Sequence, residues 1–194
     1  MSLPKTKRFT IEEYHRLIEA GFFQGDDRVE LIRGEIANMA SKGKPHVFCR
    51  TQLLRELCHL LGDRATLRCA DPVALPQDSE PEPDFAIVRN RKENYLSHHP
   101  TPDEILLIIE IADVSLQYDC EIKLPLYAEA GISKVWLFNV LENQLEIYTS
   151  PYQNSNGTFN YKQKQVKLWN ETIGLPGFPG LTLELTKVFP PMKS

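Results

Sequence analysis

The chain has little cysteine, no net positive charge and no long apolar run, and each lack narrows what it can do. Its four cysteines, Cys49, Cys58, Cys69 and Cys120, form no C-x-x-C pair, and His98-His99 has no cysteine close by. A zinc site is thus poorly supported, and free thiols in a reducing compartment are expected. No apolar run is long enough to span a membrane, so no membrane association is expected. The N-terminal residues 1–8 are basic but lack a following apolar signal core, and a cytoplasmic location is the simplest expectation. The formal net charge is −4. Nucleic-acid affinity comes mostly from Lys and Arg contacts to phosphate, so a nucleic-acid enzyme with this charge needs a local basic patch, an assembly or a partner protein. Lys42, Lys44, His46 and Arg50 form one candidate patch, although a solvated loop leading into a helix explains them equally well. Repeats, low-complexity tracts and linkers are also lacking. One domain over residues 1–194 is expected, long enough to bury a sizeable core.

What is there alternates between helical and strand periodicities. Thr10 and Glu13 make a capping box that opens a helix to about residue 20, with Gly21 as its stop. Arg28-Val29-Glu30-Leu31-Ile32 and Glu35-Ile36-Ala37-Asn38-Met39 flank Arg33-Gly34, a hairpin signal. Residues 45–61 carry Val47, Leu53, Leu54, Leu57, Leu60 and Leu61 at helical spacing before Gly62. Short strands are expected at Leu67-Arg68-Cys69 and Pro72-Val73-Ala74-Leu75, then a loop over 76–83, then a buried strand Phe85-Ala86-Ile87-Val88. Ile105-Leu106-Leu107-Ile108-Ile109 is a stronger buried strand, and Glu110 ends it. Residues 115–130 read as a helix kinked or broken at Pro125. A strand pair around Glu142-Asn143, one or two strands within 158–168 and a last strand over 181–185 complete the pattern. The fold class is α/β: a mixed central sheet flanked by helices, with an N-terminal helix and hairpin.

Chemistry concentrates where that pattern meets charge. Asp84, after Pro83, heads one core strand, and Glu110 closes another. A carboxylate on each of two core strands is costly unless a cation or a hydrogen-bond network receives it. Two such acids with a nearby lysine, Lys123, match metal-dependent phosphodiester cleavage, in which oxygen ligands hold Mg²⁺ and a point charge offsets the transition state. Each residue also has a plainer explanation. Asp84 alone could cap a strand, Lys123 could pair with Asp119 at i,i+4 on a solvated helix, and Glu30 could be an exposed strand charge. Tyr118 and Tyr127 read as packing residues, and His46 as a solvated residue at a helix start.

These residues resemble the PD-(D/E)XK nuclease superfamily and, within it, the Uma-type family of restriction endonucleases. The resemblance rests on Arg28-Val29-Glu30-Leu31-Ile32-Arg33-Gly34-Glu35, Pro83-Asp84-Phe85-Ala86-Ile87-Val88 and Glu110-Ile111-Ala112-Asp113-Val114-Ser115. It continues through Tyr118-Asp119-Cys120-Glu121-Ile122-Lys123-Leu124-Pro125-Leu126-Tyr127-Ala128, Gly131-Ile132-Ser133-Lys134-Val135-Trp136 and Leu175-Pro176-Gly177-Phe178-Pro179-Gly180-Leu181. The superfamily pattern puts a lysine two places after the second acid, where this chain has Ala112; the family pattern shifts that role to the following helix, onto Lys123.

The resemblance implies a restriction-endonuclease-like fold. It also implies a Mg²⁺ site, with Mn²⁺ as a substitute, at Asp84, Glu110 and the backbone carbonyl of Ile111, with Glu30 joining directly or through water. It further implies DNA as substrate and a homo-oligomer, because cutting both strands takes two active sites. The rival expectation is a nuclease-fold binding or assembly module whose activity is lost or needs a partner protein. The acidic charge favours the rival, and the intact carboxylates favour the enzyme.

Overall fold

Strand pairing decides where the acids go. The computed structural model describes residues 6–25 and 27–191; the first five residues of the basic N-terminal stretch lie outside them. Helix α1 (Ile11–Glu19) starts at the expected capping box, in which Thr10 and Glu13 exchange both bonds. Strands β1 (Val29–Ile32) and β2 (Glu35–Asn38) form the hairpin, with Arg33 and Gly34 at φ 51° and 77°. Positive φ at both turn residues matches the right-handed twist of the strands. Gly34 has a further reason to be glycine, since a Cβ there would meet the Phe9 carbonyl at 2.9 Å. Helix α2 (Lys44–Leu61) buries Cys49, Leu53, Leu57 and Leu61, one residue per turn. Val47 and Leu54 are exposed, so the apolar face is narrower than the leucine count suggests.

The central sheet has six strands in the order β3 (Thr66–Cys69), β4 (Phe85–Val88), β5 (Ile105–Ala112), β6 (Lys134–Asn139), β7 (Gln144–Gln153) and β8 (Phe159–Leu168). Only β5 and β6 pair in parallel; the other neighbours are antiparallel. A parallel pair needs a crossover, and the chain supplies it as α3 (Leu116–Tyr118), a π-helical turn (Asp119–Lys123) and α4 (Leu124–Glu129). The single helix expected over 115–130 is therefore in three pieces. Pro125 sits in the first turn of α4 and has no N–H to give the preceding turn, while the Leu124 N–H reaches back to the Asp119 carbonyl in the wide π step.

Two apolar clusters sandwich the sheet. One holds α2 residues with Phe85, Ile87, Leu107, Ile109, Ile111, Trp136 and Phe138. The other holds Ala86, Val88, Ile108, Ala112 and Leu137 with Leu126 and Tyr127 of α4. The alternation along β4 and β5 is the ordinary strand period of two.

Two expectations need correction, and one strand was not expected. Glu110 does not end its strand: β5 continues through Ile111 and Ala112, which pair with Phe138 and Asn139. Residues 72–75 form no named strand, because their N–H groups go to scattered carbonyls, Val73 to Pro81, Ala74 to Pro100 and Leu75 to Ser79. A short pair, β9 (Thr172–Gly174) with β10 (Thr182–Glu184), lies outside the central sheet, and its first strand has no sequence alternation to announce it. No helix among the described residues is long and apolar enough to cross a membrane.

Candidate active site

Register alone brings Asp84 and Glu110 together. Phe85 pairs with Ile109 and Ala86 with Ile108 in the antiparallel β4–β5 ladder. One step outward sets Asp84 beside Glu110, on the face that carries Ala86 and Ile108. The Asp84 N–H points at Glu110 Oε2 across 3.4 Å, and the Ile111 N–H donates to Asp84 Oδ2 at 2.9 Å. The π turn then delivers Lys123 to the same place. Its Nζ lies 3.2 Å from Glu110 Oε1 and 3.4 Å from Glu30 Oε2, and it donates to the Glu82 carbonyl at 3.2 Å. Glu30 comes from β1 and also accepts from the Glu82 N–H at 3.0 Å. Thus all four side chains expected at the site, Glu30, Asp84, Glu110 and Lys123, border one cavity of about 240 Å³, and Ile111 borders it too.

The cavity is rich in oxygen and poor in cations. Six carboxylates line it, from Glu30, Glu82, Asp84, Glu110, Asp113 and Asp119, against two lysines, Lys42 and Lys123. The electrostatics follow from that imbalance. Burial pushes the Glu110 carboxyl up to about 8, against the pull of Lys123, and repulsion from Asp119 and Asp84 adds to the rise. Burial likewise raises Asp119 to about 6, although Lys123 and the Ser115 hydroxyl favour its charged form. Asp84 goes the other way: burial opposes its charge, but the His46 ring and Lys42 outweigh burial and hold it at about 2. Burial also disfavours the Lys123 charge, yet Glu110, Glu30 and Asp119 together keep the ammonium well above the ordinary lysine range.

Several residues here were not assigned to the site from sequence. Tyr127 is fully buried and donates its hydroxyl to Glu110 Oε1 at 2.6 Å, so it is more than a packing residue. It stands four residues after Lys123, and that spacing on one helix was the available signal. His46 is buried, not solvated; its Nε2 is 3.0 Å from Asp84 Oδ2, and Lys42 donates to Asp84 Oδ1 at 2.8 Å. Of the candidate basic patch, these two turn inward, whereas Lys44 is exposed and Arg50 half-buried. Asp113 accepts from the Gly43 N–H at 2.9 Å at the start of α2, and a Cβ on Gly43 would stand 2.6 Å from that carboxylate oxygen. Asp119 is bonded by the Ser115 hydroxyl at 2.7 Å.

A hard divalent cation fits this donor set. Mg²⁺ takes oxygen ligands and is usually held by one or two carboxylates, and Asp84 and Glu110 are the adjacent pair. The Tyr118 hydroxyl, buried in the same cavity, has no hydrogen-bond partner among the described residues. The arrangement can therefore hold a cation between two strand acids and set a lysine beside it.

Comparisons with known proteins agree with this architecture. A solved structure described as a putative nuclease belonging to DUF820, from Anabaena variabilis ATCC 29413, superposes with a TM-score of 0.68 over 93% of this chain and 97% of its own, at 14% identity. That likeness is one of fold. The type IIG restriction endonuclease BpuSI overlaps 57% of this chain and 12% of its own at 18% identity, with a TM-score of 0.35. No curated protein matches the chain. Residues 11–186 match the family described as "Uma2: Putative restriction endonuclease". That span takes in β1, both strand acids, the π turn and the whole central sheet, and the chain belongs to the Uma2 family.

Proposed function

We propose that the protein is a Mg²⁺-dependent endonuclease that hydrolyses DNA phosphodiester bonds. The observation that carries the reading is the convergence of Asp84, Glu110 and Lys123 on one cavity in which acids outnumber lysines. Family membership supports nuclease-type chemistry. Asp84 and Glu110, with the Ile111 carbonyl, would hold the cation. When bound, the cation would supply Lewis-acid stabilisation of the phosphoryl charge and lower the pKa of the attacking water. Lys123 keeps a fixed positive charge at the acid pair and offsets charge developing on phosphate. Tyr127 orients Glu110 through its hydroxyl, and Glu30 with the Glu82 carbonyl orients the lysine. Lys42 pairs with Asp84 and supplies the second ammonium at the cavity.

The test is nicking of supercoiled plasmid by the purified protein in Mg²⁺ or Mn²⁺, with Asp84→Ala as control. Metal-dependent nicking lost in the variant supports the reading. Equal nicking by both proteins overturns it.

A second reading has its own observation. With a net charge of −4 and six carboxylates around the cavity, an isolated protomer repels a polyanion. A partner protein or a homo-oligomer that brings basic surface would then be required for cleavage. Under this reading the isolated protomer binds DNA weakly, with affinity falling steeply as salt rises. Tight, salt-insensitive binding would count against it.

A further inference from the structure

A second group of ligating side chains lies apart from the acid pair. His15 on α1, Glu80 in the loop before β4, and His99 in the loop before β5 each offer a ligand atom, and the three atoms lie within 4.8 Å of one another. His15 Nε2 is 2.8 Å and 3.0 Å from the two Glu80 oxygens. The His15 and His99 rings stand 5.9 Å apart between centroids and nearly perpendicular, at 77°. They border a cavity of about 290 Å³ with Tyr14, Ile18 and Pro72.

Two features ask for a ligand. The Glu80 side chain is 2% exposed, and His15 is its only ion-pair partner among the described residues. Arg68 is near His99 but is engaged with Asp71 at 3.4 Å. The His99 Nδ1 is buried without a hydrogen-bond partner, a costly state for a ring nitrogen unless something receives it.

We propose that His15, Glu80 and His99 form a site for a zinc-like divalent transition metal, with solvent completing its coordination. Two imidazoles and one carboxylate suit zinc, whereas Mg²⁺ requires an oxygen set such as the acid cavity provides. Zinc ligands at about 2.0–2.2 Å from the ion stand roughly 3.5 Å from one another in a tetrahedron, so separations of up to 4.8 Å must close by about 1.3 Å at most, while the 2.8 Å His15–Glu80 contact opens slightly. The His15 side chain, 40% exposed, is free to make that movement and leaves solvent access.

The site would act as a clip. Glu80 is tied to β1 through its N–H, which donates to the Leu31 carbonyl at 2.7 Å. Two residues on, Glu82 holds Glu30 by its N–H and Lys123 by its carbonyl. Fixing Glu80 to α1 and His99 therefore steadies the segment that lines the acid cavity. Ligands at 15, 80 and 99 share no local spacing, so no sequence pattern announces them.

The test uses the metal-free full chain in excess Mg²⁺, titrated with Co²⁺ and followed by visible absorption, and with Zn²⁺ followed by thermal unfolding. Wild type should bind one equivalent of Co²⁺ with a tetrahedral-type band, and Zn²⁺ should raise Tm. His15→Ala and His99→Ala should each weaken Co²⁺ binding at least about tenfold and abolish the Tm gain. His98→Ala, whose ring faces Glu104 at 3.6 Å, and Asp84→Asn should keep both. His15→Ala leaves the buried Glu80 without that partner, so circular dichroism checks that the variant is folded, and His99→Ala tests the site independently. No Co²⁺ binding by wild type, unchanged binding in His15→Ala, or loss in Asp84→Asn alone overturns the proposal.

Discussion

Strand β5 has a buried carboxylate near each end, and the two live in opposite settings. Glu104, just before the strand, accepts from the Thr101 N–H at 2.9 Å and the Thr101 hydroxyl at 3.0 Å, and pairs with Arg91. Burial opposes its charge, but the Thr101 and Arg91 donors outweigh burial and hold the carboxyl below the ordinary range. Glu110 is pushed up to about 8, burial being the largest cause. Surface exposure is alike, at 2% and 3%, but Glu110 sits deep in the core, so burial acts far more strongly on it. Cation sharing adds to the difference. Arg91 forms its only ion pair among the described residues with Glu104, whereas Lys123 must answer to Glu110 and Glu30, with Asp119 and Asp84 adding repulsion. A matched buried acid pins a loop; a surplus of buried acids leaves a demand that an external cation can meet.

The sharpest way to break that contrast is to neutralise each acid in turn. Glu110→Gln should lower Mg²⁺-dependent plasmid nicking by about 100-fold or more, the scale of losing one transition-state electrostatic contact. It should leave the metal-free Tm at neutral pH unchanged or higher, because burying a carboxyl whose folded pKa is raised costs stability there, and that cost is removed. Glu104→Gln should cut DNA like wild type while unfolding at a lower temperature. Equal loss of nicking in both variants would erase the distinction.

Next in size is Lys123→Ala. It strands Glu30 and Glu110 without their shared cation, and removing one partner of a buried pair should cost about 3 kcal/mol of metal-free stability in urea unfolding. Mg²⁺ should restore part of that loss by binding only the folded form. The burial of Lys123 against two acids sets the size of this loss. A variant as stable as wild type would mean the acids are matched elsewhere.

A smaller effect is expected at Gly43. Alanine there would press on Asp113 and displace it from the start of α2, lowering stability by about 1–2 kcal/mol in thermal melts. Unchanged melting would show that Asp113 is free to move aside.

The smallest effect concerns pH at the matched end. The folded Glu104 carboxyl lies below its unfolded value, so the stability it contributes is present above the unfolded pKa and fades as pH falls through the folded one. Arg91, His98 and Tyr95 are the titratable groups around it. The Tm gap between wild type and Glu104→Gln should therefore be widest near neutrality and close in acid. A gap that widens in acid would reverse the sign.

Much of the site was readable because burial and charge disagree in the sequence itself. Five apolar residues before Glu110 mark it as buried, Pro83-Asp84 precedes a second apolar run, and Arg33-Gly34 announces the hairpin that presents Glu30. Ala112 in place of a lysine directed attention to Lys123. The unreadable parts depend on contacts between distant segments. Nothing local tells Lys42 and His46 to turn onto Asp84, and Tyr127 has only its spacing from Lys123 to suggest the bond to Glu110. The π turn has only Pro125 as a hint. Residues 72–75 alternate like a strand because Val73 and Leu75 are buried, yet their N–H groups are satisfied by irregular neighbours. Their pattern reports burial, not pairing.

Calorimetric titration of Mg²⁺ into metal-free protein tests the central claim most directly. Mg²⁺ is the right probe because it selects the oxygen cavity over the histidine pair. Wild type and Glu104→Gln should bind with the same affinity, and Glu110→Gln should lose binding by at least about tenfold. Wild-type affinity in Glu110→Gln would contradict the claim that the surplus acids at that end of β5 exist to hold a cation.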